Sequence, residues 1–565
     1  MNSQSENKWT LPTTNIVYLD IETDGIQASE VHCVVTKRAN EGHSLHTCRQ
    51  SLFEELARGG HVCGHNIIDF DAPVLRDLWD IQIEPERMLD TLVMSRLLHP
   101  DMEKGHSLAA WGDRLGFPKG DHDDWTQLSD NMIRYCMRDV DVTEKLYEKL
   151  CTQMRMLGFS CQSVYLEHSV AQICREQTEN GFAFDLVNAK RLEKQLETKM
   201  GGIEAKLQSV FPPIPEDQRY HKTTGKPLPL KYTHFNVGSR QQVAERLKAK
   251  GAKWKDKTPS GRDKVDESTL KQNIHIPEAK MVLEYLLLQK RHSQVLSWIK
   301  AEDRGRIYGR VKHIGAVTGR MAHSNPNLAQ VPAVTAEYGK ECRSLFVASP
   351  ERVLVGADAS GLELRMLAHY MDDKDYTKEI LEGDIHTTNQ IAAGLETRAQ
   401  AKTFIYAFLY GAGNAKIGSV VGGSAKKGGE LKDKFLENTP ALAELRDSIY
   451  EQIEEQAIER SFLDGLDGRK LRLRSAHAAL NTLLQGAGAV VMKQAVIHLY
   501  ELLEGIDFKL VAQVHDEWQI ECWPSDAEYV GKCAVKAIVQ AGETFNLNCP
   551  LDGEYRIGNN WADTH

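Results

Sequence analysis

Several stretches of this sequence put carboxylates where an ordinary surface has no need of them. In "NIVYLDIETDG" an apolar strand carries Asp20 and Glu22, two residues apart. Residues i and i+2 share one face of a strand. Two like charges side by side raise each other's pKa unless a cation sits between them. "GHNIIDFDAPVL" adds Asp71 in a loop-to-helix context. "YCMRDVDVTEKLYEKL" reads as a helix with Tyr135 and Asp139 four residues apart on one face. Oxygen ligands of this kind suit Mg²⁺ or Mn²⁺. Two such ions, roughly 3.5–4 Å apart, activate a water and stabilise the leaving oxygen of a phosphodiester. Tyr135 could orient that water. Each acid alone reads as a surface residue; the ordered set points to metal.

A second pair lies downstream. Val353–Ala357 reads as a buried strand that ends on Asp358, followed by Ala359-Ser360-Gly361 and a helical pattern, "LELRMLAHY". A desolvated, unpaired carboxylate costs several kcal/mol. Asp358 therefore needs a basic partner, a helix N-cap position or a cation to compensate it. "VAQVHDEWQI" places His515, Asp516 and Glu517 in a hairpin turn between apolar strands. If both elements share one sheet, Asp358 and Asp516 face each other and can hold two Mg²⁺. Between them, "TRAQAKTFIYAFLYGAG" puts Arg398, Lys402 and Tyr406 at i, i+4 and i+8. At about 100° per residue these form one helical stripe. Two cations and a ring suit a nucleoside triphosphate; an amphipathic helix with a basic outer face is the plain alternative.

The elements that must position these residues are legible in outline. Up to about residue 155, short strands alternate with helices. Helical stretches start near Ser163 and cover Asp185 to Val210, before the breaker "FPPIPEDQ". A further helix, "IPEAKMVLEYLLLQKRHSQVLSWIK", precedes the loop-rich "TGRMAHSNPNLAQVP", and a long helical region runs from Leu381 to about Glu459. The 565 residues suit two to four domains. With 41% hydrophobic and 26% charged residues, the chain fits a globular protein rather than a disordered one. It contains no run of 18 apolar residues to span a membrane, and its start lacks the basic and apolar regions of a signal peptide. Eleven cysteines without CxxC pairs argue against a zinc site or a disulfide framework, and for a reducing compartment. Net charge is −10, yet Arg219–Lys264 holds 13 Lys/Arg against 3 Asp/Glu. Such a stretch could follow a phosphate backbone.

DIE, HN-x4-D and Y-x3-D resemble the three motifs of the DEDDy 3′→5′ exonucleases, which have an RNase H-like fold. "DASGLELR", "R-x3-K-x3-Y-x3-YG" and "VHDE" resemble, in order, the three motifs of family A DNA polymerases. "GDIHTTNQIAAGL", "GLDGRKLRLRSAHAALNTLLQGAGA" and "GNNWADTH" are similar to the replicative polymerases of T-seven-type bacteriophages. The resemblance covers nearly the whole chain. It implies an α/β multidomain protein: an exonuclease domain (1–160), thumb and start of the polymerase (161–335), first part of the palm (336–380), fingers (381–490) and second part of the palm (491–565).

It also implies roles. Asp20, Glu22, Asp71 and Asp139 would hold the exonuclease metals, with Tyr135 positioning the water. Asp358, Asp516 and the Ala359 carbonyl would hold two Mg²⁺, or Mn²⁺, with Glu517 in support. Arg398, Lys402 and His386 would meet the triphosphate, and Tyr406 the sugar and base. Glu363 with Tyr410 would exclude ribonucleotides. Arg320 and Gln485 would donate to the minor groove, where every base pair offers N3 or O2 acceptors. His477, Asn481 and His515 would contact DNA. Primer-template DNA and dNTPs are the implied substrates, a phage helicase-primase and single-strand binding protein the implied partners, and the infected host's cytoplasm the location. The resembling enzymes carry a long basic thumb insertion that binds thioredoxin. "TGKPLPLKYTHFNVGSR" passes almost directly to Phe235-Asn236, so thioredoxin binding is not expected. The competing readings are a nuclease whose C-terminal part only binds nucleic acid, a polymerase with an inactive exonuclease domain, and a non-catalytic replication-fork protein.

Overall fold

The computed structural model describes residues 11–454 and 461–565. The first ten residues, part of the stretch read for a leader, and the end of the helical region expected to reach Glu459 lie outside them.

The N-terminal domain is built on a five-stranded sheet. Its strands are β1 (Ile16–Thr23), β2 (Val31–Arg38), β3 (His43–His46), β4 (His61–Gly64) and β5 (Met88–Asp90), in the order β3-β2-β1-β4-β5. β1 pairs antiparallel with β2 and parallel with β4. The central position of β1 explains its near-continuous apolar sequence, since both faces are covered. Three helices matter to the site: α1 (Asp71–Trp79), α2 (Leu108–Arg114) and α3 (Asp130–Met156). Ser129 caps α3 by accepting from the Met132 amide. This is the RNase H-like arrangement the resemblance implied.

α4 (Cys161–Asn180) joins this domain to the rest. Cys161 and Val164 pack in the N-terminal core, while Val170, Ile173 and Cys174 pack in the C-terminal one. Gly181 ends the helix at φ +58°, and a Cβ there would stand 2.8 Å from the Tyr308 ring, so both backbone and space require glycine. The long helices α5 (Leu186–Val210) and α6 (Pro277–Ala301) pack against each other as the thumb. Between them, Ile214–Pro215 pairs with Tyr232–Thr233 in an exposed hairpin.

The palm sheet contains β6 (Val353–Ala359), β7 (Phe508–Val514), β8 (Glu517–Cys522) and β9 (Gly553–Gly558), all antiparallel, in the order β7-β8-β6-β9. α7 (Leu362–Met371) follows β6, and the fingers contain α8 (Ile385–Ala393), α9 (Arg398–Leu409) and α10 (Pro440–Glu454). α11 (Ala479–Leu502) packs on α12 (Ala527–Thr544), which lies against the palm sheet. The expected boundary at 490/491 falls inside α11. That helix runs unbroken because its apolar face, including Leu484, Ala487, Val491 and Ala495, is buried along its length. The 380/381 boundary likewise falls inside the helix Lys374–Glu382.

Candidate active sites

The sheet and α3 bring the four N-terminal acids together. Asp20 and Glu22 lie on β1, Asp71 opens α1, and Asp139 stands on α3, which packs on β1. Glu22, Asp71 and Asp139 are buried. Burial, then the charges of Asp139, Glu22 and Asp71, push Asp20 well above the usual carboxylate range. Burial and Asp139 push Glu22 up to about 8, and burial raises Asp71 to about 7. Asp139 rises to about 6, where burial outweighs the opposing Lys119 charge. Glu22 Oε1 and Asp139 Oδ1 are buried without a hydrogen-bond partner. Such orphaned oxygens fit an all-oxygen cation site. Ligand atoms of Asp20, Glu22 and Cys136 also lie within 4.8 Å of one another. Cys136 and Lys119 were not foreseen. Cys136 is visible only as the neighbour of Tyr135, and Lys119 arrives on a loop that carries no periodic signal.

In the palm, β6 runs through Asp358 to Ala359, two residues beyond the expected strand end. Gly361, at φ +62°, occupies the N-cap position of α7 with no side-chain cap. The N-cap reading of Asp358 is thereby excluded. The β7–β8 turn is only His515-Asp516, with His515 at φ +60°; Glu517 already belongs to β8 and pairs with Asp358. The Ala359 amide donates to the Asp516 carbonyl at 3.1 Å, tying the strand end to the turn. Burial, then Asp516 and Glu517, push Asp358 up to about 7. Asp516 is raised by burial and by Glu363.

Glu517 is not a free acid. Its carboxylate accepts from Trp561 Nε1, from Gln519 Nε2 at 2.8 Å and from Arg343 Nη1 at 3.3 Å, and pairs with His565 Nδ1 at 3.1 Å. Gln519 is two residues along the same strand, but Arg343, Trp561 and His565 lie far from Glu517 in sequence, so no local pattern announced them. Together they hold Glu517 below its usual range against burial. The geometry gives it support, not a ligand position.

A cleft lined by Arg320, Leu362, Glu363, Lys493, His515 and Asp516 opens beside the acids. Glu363 Oε1 accepts from Tyr410 Oη at 3.1 Å and from Arg320 Nη2 at 3.2 Å. Tyr406 is half-buried, its ring 6.4 Å from His386 and 6.3 Å from Tyr410. Burial, then Glu363 and Asp516, raise its hydroxyl. Lys402 is exposed, and among the described residues no ion pair engages it. Arg398, expected to meet the triphosphate, bonds both oxygens of Asp384 through its guanidinium, at 2.7 and 3.1 Å. Asp384 is also the N-cap of α8. Asn481 and Gln485 lie one turn apart on α11, and His477 stands exposed just before it beside Gly411.

The DNA polymerase family A model matches residues 217–563. The chain belongs to DNA polymerase family A. Family membership extends to whole-length relatives. The DNA-directed DNA polymerase of Escherichia phage T7 is 35% identical over 661 aligned positions, covering 91% of this chain and 94% of the phage protein. That of Enterobacteria phage T3 is 34% identical, covering 97% and 99%. DNA polymerase I of Aquifex aeolicus is 27% identical, covering 98% and 96%. The fold also matches the POL domain of Pol1 from M. smegmatis, solved in complex with DNA primer-template and dNTP, with a TM-score of 0.82 at 18% identity over 98% of this family A chain and 97% of that one.

Proposed function

We propose that this chain is a DNA-directed DNA polymerase with a 3′→5′ exonuclease in the same polypeptide, replicating a phage genome in the cytoplasm of a bacterial host. The observation that carries the polymerase reading is the meeting of Asp358 and Asp516 at the end of β6, locked by the Ala359 amide and open to the cleft that Glu363 and Arg320 line. The phage relatives, each named a DNA-directed DNA polymerase, support it.

Asp358, Asp516 and the Ala359 carbonyl would hold two Mg²⁺, with Mn²⁺ as a substitute; Asp20, Glu22, Asp71 and Asp139 would hold the exonuclease pair. When bound, such ions lower the pKa of the attacking hydroxyl or water and stabilise the leaving oxygen. The chain's own residues do the rest. Lys402, Arg398 and His386 receive the triphosphate. Arg398 reaches it by exchanging the Asp384 carboxylate for phosphate oxygens, so substrate binding and movement of α9 are one event. Tyr406 packs on sugar and base. Glu363, held by Tyr410, fills the space a 2′-hydroxyl would need. Arg320 and Gln485 donate to minor-groove acceptors at the primer end, and His477, Asn481 and His515 contact the DNA. The primer 3′-oxygen then attacks the α-phosphorus, and pyrophosphate leaves. In the N-terminal centre, Tyr135 orients the water that attacks the terminal phosphodiester. Helicase-primase and single-strand binding protein are the partners this role calls for; thioredoxin is not.

Primer extension with and without dNTPs tests the reading. Extension with dNTPs and shortening without them are expected. Shortening alone would leave a nuclease whose C-terminal part binds DNA, extension alone a polymerase with an inactive exonuclease domain, and neither a fork-binding protein.

A further inference from the structure

The chemistry of the N-terminal centre leaves one charged side chain without a role. Lys119 Nζ lies 2.5 Å from Asp139 Oδ2 and 4.6 Å from the centre of the Tyr135 ring. From there it bears on the Tyr135 hydroxyl as well. Its charge acts on Asp20, Glu22, Asp71 and Asp139 alike.

The loop that delivers this lysine is built for the purpose. Gly116, at φ +63°, turns the chain after α2. Gly112 lets the returning segment pass: a Cβ there would stand 3.0 Å from the Lys119 amide nitrogen and 3.0 Å from the Phe117 carbonyl oxygen. Arg138 Nε donates to the Pro118 carbonyl at 2.9 Å, and the Arg138 guanidinium covers the Phe117 ring at 3.1 Å, with Lys145 Nζ 4.8 Å from the same ring. Arg138 and Lys145 belong to α3, the helix that carries Tyr135 and Asp139. One helix therefore holds the tyrosine, the acid and the anchors of the loop that brings the lysine to both.

We propose that Lys119 is a positioning residue of the exonuclease centre: it fixes the Tyr135 hydroxyl for the attacking water and occupies Asp139 until a metal takes its place. The inference rests on the exonuclease reading given above. In that reaction the water oxygen bonds to phosphorus, and the bond from phosphorus to the 3′-oxygen of the penultimate nucleotide breaks. That oxygen leaves with a proton and a nucleoside 5′-monophosphate is released. Lys119 exchanges no proton; it acts through Tyr135 and Asp139. A lysine that merely neutralised buried acids for folding would make different predictions.

The experiment compares Lys119→Met, Lys119→Gln and Lys119→Arg, each with Tyr135 and with Tyr135→Phe, in hydrolysis of end-labelled single-stranded DNA. Asp20→Ala is the control for the reading itself. Melting temperature and primer extension report folding, so a Met variant that fails to fold is replaced by the Gln one. Loss of a charge-assisted hydrogen bond should lower kcat about 10- to 100-fold with KM little changed, and Lys119→Arg should recover part of it. With Tyr135→Phe the same substitution should cost only about 3-fold or less, because coupled residues are not additive. Mn²⁺ titration by electron paramagnetic resonance, in an Asp358→Ala background, should show tighter binding to the N-terminal centre for Lys119→Met. Slower hydrolysis with tighter metal is a pair of signs that structural damage does not give. Unchanged kcat, an equal loss in both Tyr135 backgrounds, or unchanged or weaker Mn²⁺ binding would overturn the proposal. If Asp20→Ala still degrades DNA, it is the exonuclease reading that falls.

Discussion

In the N-terminal centre the compensating cation is already in place, with Lys119 Nζ 2.5 Å from Asp139. Beside the palm acids, the cations proposed for the triphosphate stand on the separate helix α9, and Arg398 is bonded to Asp384 instead. The first centre draws four acids from one sheet and the helices packed on it, and a lysine from the loop between two of those helices. The second draws its acids from the palm and its cations from the fingers. A preassembled site needs only metal and a strand end. A divided one needs its substrate to complete it, which lets a correct nucleotide be tested before chemistry.

The sharpest way to break this comparison is to remove one centre at a time. Asp20→Ala should abolish degradation of single strands and leave extension nearly intact, and Asp358→Ala should do the reverse. Each loss should reach several orders of magnitude, at about 1.4 kcal/mol per tenfold. Paired assays on folded protein decide it: a single change that removed both activities would mean the centres are not separate.

What joins the two regions should respond differently. On α4, His168 Nε2 accepts from the Asp90 amide of the N-terminal sheet at 2.7 Å. Its neighbour Glu167, fully buried, accepts from Lys493 Nζ at 2.6 and 2.8 Å, and pairs with Arg469 at 2.7 Å and His313 at 2.8 Å. Burial alone would raise Glu167, but Lys493, Arg469 and His313 outweigh it and hold the carboxyl well below its usual range. A depressed pKa means the stabilisation is present above the unfolded value of about 4.3 and is lost only as pH falls through the lower folded value. Glu167→Ala would strand buried cations, at a cost of about 3–5 kcal/mol. Urea denaturation at neutral pH should show that loss, and both activities should fail together on heating. A variant as stable as wild type would mean the cluster contributes no net stability.

Which of these features could be read from the residues alone follows from distance along the chain. The i, i+2 acids on β1, the i, i+4 pair on α3 and the Arg398–Tyr406 stripe announce themselves, because one element fixes their geometry. Asp358 and Asp516 needed the further assumption of a shared sheet, which the β6–β8 pairing bears out. Lys119 depends on a glycine turn and a close backbone approach, which have no period. Glu167 sits in "VYLEHSVAQ", where a glutamate reads as a surface residue; its partners come from three distant stretches of the chain. The pairing of Arg398 with Asp384 is equally hidden, because nothing within its own helix shows Asp384 reaching it.

Tyr406 tests the divided centre at smaller amplitude. A tyrosine hydroxyl there can stand in for the 3′-hydroxyl that a dideoxynucleotide lacks, by hydrogen-bonding near the β-phosphate. One hydrogen bond to a charged group is worth roughly 1.5–3 kcal/mol, or about 10- to 100-fold in selection. The wild type should accept dideoxynucleotides readily and Tyr406→Phe should reject them. Competitive incorporation measures the ratio; equal ratios in the two proteins would make Tyr406 a packing residue only.

The smallest effect concerns how the thumb holds DNA outside both centres. The 661 positions aligned with the phage T7 relative exceed the 565 residues of this chain, so that relative carries insertions absent here. What stands between α5 and α6 is an exposed basic segment. Arg219, Lys222, Lys226 and Lys231 on and beside the hairpin make no ion pair among the described residues. Lys248, Lys253 and Lys255 are exposed. Lys250 is engaged, pairing with Glu278 at 3.1 Å and lying 5.9 Å from the Phe211 ring centre. Each phosphate contact contributes about 0.9 to the salt slope of duplex binding. Neutralising Lys248, Lys250, Lys253 and Lys255 together should therefore flatten the slope by about three contacts rather than four, and shorten products on a primed single-stranded circle. Thioredoxin should leave product length unchanged, since the segment offers it no large insertion. An unchanged slope would release these lysines from the DNA path, and a large thioredoxin stimulation would make the short hairpin a docking site in its own right.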